Sequence, residues 1–239
     1  MVTLTLVLLN MDECPRYLVQ NLADVPVGED WLSQKEQALN CSMHFAKRRN
    51  DWRLGRWTAK QAYRLYQSDR TLSMREIDVV ASEDGGPDIF IGIDPAPVSI
   101  SISHSHDRGF CAIAPDKLSV GCDLEWMEYE SPGFFDDYFR AEEMRLCREA
   151  PAPVKPFAEY LIWSAKESCL KVLREGLRRD TRSVSIEVDF KVETGSWNTW
   201  SGQCIETASI FHGWWRHEDR FVYTVAANRP IHVPEKLLY

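Results

Sequence analysis

Two short stretches, forty residues apart, limit the folds open to this chain more than anything else in it. Val120-Gly121-Cys122-Asp123-Leu124-Glu125 alternates with the period of two that marks a strand, so Asp123 and Glu125 share a face. Trp163-Ser164-Ala165-Lys166-Glu167-Ser168-Cys169-Leu170-Lys171 is spaced as a helix. Four residues apart, Glu167 and Lys171 fall on one side of it, while Lys166 points elsewhere. Three carboxylates carried by two rigid elements, with a lysine beside them, can hold a hard divalent cation and leave coordination positions free for phosphate oxygens. The same residues could also form a solvated strand face and an ordinary ion pair along a helix. Spacing alone leaves both readings open.

At 239 residues the chain can bury one generous core or two small ones. A net charge of -8 argues against a general nucleic-acid coat protein, although an acidic whole can still carry a basic cleft. Met1 to Leu9 is apolar, too short to span a bilayer and without a basic leader, and reads as a first strand. The seven cysteines are odd in number and lack metal-type spacing, which fits reduced thiols in a cytoplasmic protein. Cys122 and Cys169 lie inside the two key stretches and read as small core residues rather than nucleophiles.

Taken in order, Asp12 to Asp30 reads as loop with a short helix. Ser33 caps a helix, with Glu36 three residues on. Phe45 to Tyr66 reads as one long amphipathic helix whose apolar side includes Trp52, Ala59 and Tyr63. Arg49, Arg53, Arg56 and Lys60 recur on another side. Four cations on one stripe repel one another, so a phosphate partner would relieve a cost; acidic neighbours would do the same. Gly55 inside this helix suggests a close approach of another backbone. Strands are expected at 77–81, after the turn Glu83 to Pro87, at 98–106 ending in Ser103 and His104, and at 110–114. Glu128 to Asp137 reads as a loop. Helices follow at 139–146, with Glu142 and Glu143 in the first turn, and, after Pro151, Pro153 and Pro156, at 157–173. Strands at 183–190, 206–211 and 221–226 surround a Trp-rich middle, and 230–239 reads as a tail. This is an α+β chain of two similar halves, 1–115 and 116–239, each with a small antiparallel sheet and a long helix. No repeat in the sequence is obvious.

The two signature stretches, in this order and at this separation, resemble those of the 4'-phosphopantetheinyl transferases, specifically the larger single-chain type of two similar halves. Ser101-Ile102-Ser103-His104-Ser105 is similar to that family's serine-histidine motif, and Gly55-Arg56 with Ala59-Lys60 to its basic helix. The resemblance covers about residues 33 to 190. It implies transfer of the phosphopantetheine arm of coenzyme A to a serine of an apo acyl or peptidyl carrier protein, with release of 3',5'-ADP. Asp123, Glu125 and Glu167 would bind Mg2+, with Lys171 beside the pyrophosphate. Ser103 and His104 would contact the nucleotide end, and Arg49, Arg56 and Lys60 are candidates for phosphate contacts. Glu143, or failing it Glu142, would take the serine proton. The cysteines point to a cytoplasmic protein and the two-half architecture to a monomer, with no nucleic-acid or membrane partner expected. One departure stands out: family members often carry a lysine between the glycine and proline of the turn that here reads Gly85-Gly86-Pro87. Two rival readings share parts of this pattern, a magnesium-dependent phosphoesterase and a non-catalytic module that binds coenzyme A or a carrier protein.

Overall fold

A computed structural model describes residues 14–128, 133–190 and 196–239. The strand expected over Met1 to Leu9 and the middle of the loop expected over Glu128 to Asp137 lie outside the described residues. In chain order the elements are β1 (Arg16–Asn21), α1 (Gln34–Ser42), α2 (Ala46–Tyr66), β2 (Ile77–Ala81), β3 (Pro87–Ile91), β4 (Asp94–Pro95), β5 (Val98–Ser105), β6 (Arg108–Pro115), β7 (Val120–Trp126), α3 (Ala141–Glu149), α4 (Ala158–Val172), β8 (Val184–Val188), β9 (Asn198–Cys204), β10 (Ile210–Glu218), β11 (Phe221–Ala227) and β12 (Glu235–Lys236).

Three sheets result, ordered β12-β1-β6-β5, β2-β3-β4 and β7-β11-β10-β9-β8. Setting aside the short β4 and β12, the two halves repeat one plan. A strand is followed by two helices, then by two hairpin-paired strands, then by two more, the last of which returns to pair with the first: β6 with β1, and β11 with β7. The α+β fold of two similar halves is therefore present. Each half buries a long helix against its sheet, α2 over Leu18, Cys111 and Ile113, and α4 over Val222, Ala226 and Trp200. A third apolar cluster, with Tyr17, Phe110, Leu124 and Tyr223, lies at the seam.

Both halves contain the same buried clasp. In the first, Ser33 caps α1, and Glu36 on its first turn accepts from the backbone N–H of Ser33 at 3.0 Å. Glu36 also pairs with Lys60 of α2 and accepts from Val79 N at 3.1 Å. In the second, Glu143 accepts from Arg140 N at 2.8 Å, pairs with Lys166 of α4 at 2.8 Å and accepts from Ile186 N at 2.9 Å. In both cases the carboxylate and the strand amide are 43 residues apart. Each lysine also donates to a carbonyl of the short turn before that strand, Met74 O at 3.0 Å or Thr181 O at 3.0 Å. Once the clasps are aligned, a repeat appears: Trp57-Thr58-Ala59-Lys60-Gln61 against Trp163-Ser164-Ala165-Lys166-Glu167. Five residues are too few to notice unaided, which is why no repeat is obvious in the sequence.

Other expectations shift as well. Arg16–Asn21 is a strand inside the segment expected to be loop and short helix, and Asn198–Cys204 is a strand in the Trp-rich middle. The strand expected at 206–211 begins instead at Ile210, after a turn in which Ala208 has φ of 57°. Residues 235–236 of the expected tail pair in parallel with β1. A Cβ on Gly55 would meet a methyl of Ile102 at 3.3 Å, so the close approach there is to a side chain rather than to another backbone.

Candidate functional site

The site lies where the two halves meet. β5 and β7 are the facing edges of two sheets, and side-chain hydroxyls bridge them. Ser99 Oγ accepts from Val120 N at 3.2 Å, Ser101 Oγ accepts from Cys122 N at 2.9 Å, and Ser103 Oγ donates to Asp123 Oδ1 at 2.9 Å. The alternation of apolar residue and serine in β5 therefore has a physical purpose: the isoleucines face one way, and the serines stitch the seam. Ser103 reaches the acidic strand and lines neither of the two cavities described below.

On its other side β7 lies against α4. A Cβ on Gly121 would collide with the backbone carbonyl of Ser168, so only glycine permits this approach. Two residues of strand span about 6.6 Å and four residues of helix about 6 Å, so the two spacings match along the contact. Trp163, Glu167 and Lys171, each four apart, line up against Glu125 and Asp123. Trp163 Nε1 donates to Glu125 Oε1 at 2.8 Å. Lys171 Nζ donates to Asp123 Oδ1 at 2.7 Å and to Cys122 O at 3.1 Å, and lies 3.5 Å from Glu167 Oε2.

Electrostatics at this cluster are unbalanced. Burial, then Asp123 and Glu167, push the Glu125 carboxyl up to about 8. Burial and Asp123 push Glu167 up to about 7. Burial works against the charge on Lys171, but Asp123 and Glu167 outweigh it and raise its pKa. Asp123 is 2% exposed, and its Oδ2 is buried with no hydrogen-bond partner in the structure. Three acids thus share one lysine, and one buried oxygen lacks a donor. Among the described residues, no group of three His, Cys, Asp or Glu side chains is already drawn together as a metal cage. Lys171 pairs with Asp123 and Glu167 instead.

Next to the cluster are two cavities. One, of about 600 Å³, is lined by Arg48, Trp52, Arg56, Pro87, Ile102 and His104. The other, of about 490 Å³, has Pro87 and Ile102 on one side and Lys171, Arg174 and Arg178 on the other. Gly85, Pro87 and Ile102 line both, so the two cavities adjoin. Arg56 stacks on Trp52 with 4.9 Å to the ring centroid, its Nε is buried without a partner, and burial lowers its pKa. Arg53 is occupied elsewhere, donating to the carbonyls of Pro26, Val27 and Gly28.

Not every expected site residue arrives here. Asp123, Glu125, Glu167, Lys171 and Ser103 are brought together, and His104 and Arg56 line the adjoining cavity. Arg49 is half-buried on α2 and lines neither cavity. Lys60 is fully buried and committed to Glu36. Glu143 is 2% exposed, with both carboxylate oxygens taken by Lys166 and two backbone amides. The structure therefore gives Lys60 and Glu143 roles in the clasps and not at the cavities. Glu142 is exposed beside Arg140. Burial drives the Cys122 thiol up to about 11 and raises that of Cys169 well above the usual thiol range, which leaves both as core residues. Arg174 and Arg178 were missed, because they lie beyond the expected end of the helix that carries Lys171.

The arrangement is that of an α+β protein whose two halves enclose a lysine-buttressed carboxylate cluster and a partly basic cleft. Residues 119–226, which include the whole cluster, match the family model of the 4'-phosphopantetheinyl transferase superfamily. No curated protein matches the chain. Among the described residues no helix is long and apolar enough to cross a membrane.

Proposed function

We propose that this protein transfers the 4'-phosphopantetheine arm of coenzyme A to a serine of an apo carrier protein. One observation carries the reading: within the region that matches the transferase family, Lys171 pairs with Asp123 and Glu167 while Trp163 holds Glu125 beside them, at the edge of a cleft lined on its far side by Arg56 and His104. The domain reading follows the same plan, with a division near residues 115 and 116.

The residues suit a divalent cation. The orphaned Oδ2 of Asp123 calls for a positive partner, and so do two carboxyls whose proton affinity has been raised by their neighbours. Asp123, Glu125 and Glu167 would hold Mg2+, which when bound supplies Lewis-acid stabilisation of phosphoryl oxygens. The chain's own side chains do the rest. Lys171, kept charged by Asp123 and Glu167, offsets charge on the pyrophosphate, and Trp163 fixes the Glu125 carboxylate. Arg56 and His104 line the cavity that would take the nucleotide end. A bond forms from the carrier serine Oγ to the phosphorus that bears the pantetheine arm. The bond from that phosphorus to the leaving 3',5'-ADP breaks, and the electron pair departs with it. The serine proton goes to solvent or to the leaving phosphate, because Glu143 is buried in the clasp and lines neither cavity.

Intact-mass measurement of an apo carrier protein tests this, after incubation with the protein, coenzyme A and magnesium, with and without chelator. A gain of one phosphopantetheine arm that chelator abolishes is expected. Hydrolysis of coenzyme A with no mass gain on any of several carriers would replace the transferase reading with a phosphoesterase.

A further inference from the structure

The turn from Ser82 to Pro87 has no side chain at two successive positions, Gly85 and Gly86, yet it is not bare. Two arginines from beyond α4, in the other half, lie over it. The Arg174 guanidinium occupies the space above Gly86, where an added Cβ would lie 2.8 to 3.0 Å from three of its atoms. The Arg178 Nη1 occupies the space above Gly85. Arg174 has φ of 59°, a left-handed conformation that a non-glycine residue adopts only at a cost. Its guanidinium forks onto Asp88 at 3.0 and 3.1 Å and also pairs with Asp84. The two halves are therefore clamped across 86 residues of sequence.

Three cations line the cavity of about 490 Å³ beside this turn. Lys171 is paired with Asp123 and Glu167, and Arg174 with Asp84 and Asp88. Arg178 differs. Among the described residues it has no carboxylate within ion-pair distance, and its Nη2 donates to two carbonyls, Asp84 O and Arg174 O, the latter at 2.8 Å. An arginine has five N–H donors in a rigid fork, so docking one nitrogen on carbonyls orients the rest without neutralising the charge. A guanidinium oriented in this way on the wall of a cavity shared with Lys171, with Asp84 and Glu175 acting on it only from beyond ion-pair distance, is suited to an anionic oxygen.

We propose that Arg178 is a phosphate-binding residue for coenzyme A, and that Arg174 is the positioning residue that holds it against the Gly85-Gly86 turn. The inference rests on the transferase reading above. In this arrangement the second half provides the cation that the turn itself lacks at Gly86. The phosphoryl group is either the 3'-phosphate or the pyrophosphate of the nucleotide.

Calorimetric titration of the full-length protein with coenzyme A and with 3'-dephospho-coenzyme A tests it, using wild type, Arg178→Gln, Arg178→Lys, Arg174→Gln and the Arg174→Gln/Arg178→Gln double variant. Arg178→Gln is expected to weaken coenzyme A binding about tenfold, in line with one charge-assisted contact, and Arg178→Lys to recover part of the loss. In turnover, KM for coenzyme A rises. The double variant is expected to lose no more than Arg178→Gln alone, as two residues acting through one contact require. A loss seen only with coenzyme A assigns the 3'-phosphate, and an equal loss with both ligands assigns the pyrophosphate. Unchanged affinity of Arg178→Gln for both ligands, when wild type binds coenzyme A, overturns this inference and leaves the transferase standing. A wild type that binds no coenzyme A overturns both.

Discussion

The two halves hold the same clasp and present different chemistry above it. In each, a buried glutamate at the start of a helix pairs with a buried lysine of the next helix and caps the amide of a strand 43 residues on. One helical step beyond that lysine's neighbour, the halves part. The second half carries Glu167 and Lys171 where the first has Gln61 and Leu65. Among the described residues the carboxylate cluster exists in the second half, and the first half provides Arg56, Arg48 and His104 to the cavity instead. Similar frames thus serve opposite charges, and the function depends on a few side chains that leave the frame unaltered.

That contrast is open to attack at its strongest point first. Asp123→Ala or Glu167→Ala is expected to abolish magnesium-dependent transfer, with a loss of about a thousandfold or more; the thermal melt of the metal-free protein holds or rises for Glu167→Ala and falls for Asp123→Ala, which takes the acceptor from Lys171 and Ser103. A variant that keeps turnover removes the cluster from the mechanism. Next, Glu143→Gln and Glu36→Gln should behave alike although they lie in different halves. Each strands a buried lysine, at a cost of about 3–5 kcal/mol read by denaturant titration, and whatever protein stays folded should turn over at nearly the wild-type rate. A well-folded Glu143→Gln that is catalytically dead would restore Glu143 as the base and break the equivalence.

A smaller effect concerns pH. The folded-state pKa values of Glu125 and Glu167 are raised, to about 8 and about 7, so their contribution to stability is complete below the ordinary carboxylate range and is lost as pH climbs through 7 and 8. In chelator the melting temperature should therefore fall between pH 5 and pH 9, and magnesium should oppose that fall. Scanning calorimetry showing the same curve for Glu167→Gln would contradict the crowding of these acids. The smallest expected effect is that of Gln61→Glu, which restores the missing acid to the first half. It should yield no second site and leave transfer kinetics unchanged, because no acidic strand like β7 faces it.

How much of this was legible beforehand follows from the range of the forces involved. The β7 and α4 motifs could be read because a local period places Asp123 with Glu125, and Glu167 with Lys171, before any tertiary contact forms. Lys166 pointing elsewhere followed from the same geometry. The role of Glu143 could not be read, because an acid in a first turn looks the same whether it faces water, a dipole or a lysine 23 positions later. Lys60 misled in the same way, sitting on a basic stripe yet turning inward to Glu36. β1 was hidden by its proline- and asparagine-rich surroundings, and β9 by tryptophans that gave no clean alternation. Arg174 and Arg178 depend on two glycines nearly 90 residues away, a relation no local pattern carries.

The short strand β12 pairs in parallel with β1, and nearby Cys14 donates to the Val233 carbonyl across 219 residues. At a translation rate of roughly 5–20 residues per second, the outer edge of β1 waits roughly ten to forty seconds for its neighbour to be made. During that interval a strand edge with unpaired amides is open to any other strand in the cell. In the finished fold β12 covers that edge at Arg16 and Tyr17, on the side of the first sheet opposite the β5 seam, so a nascent-chain chaperone would act away from the carboxylate cluster.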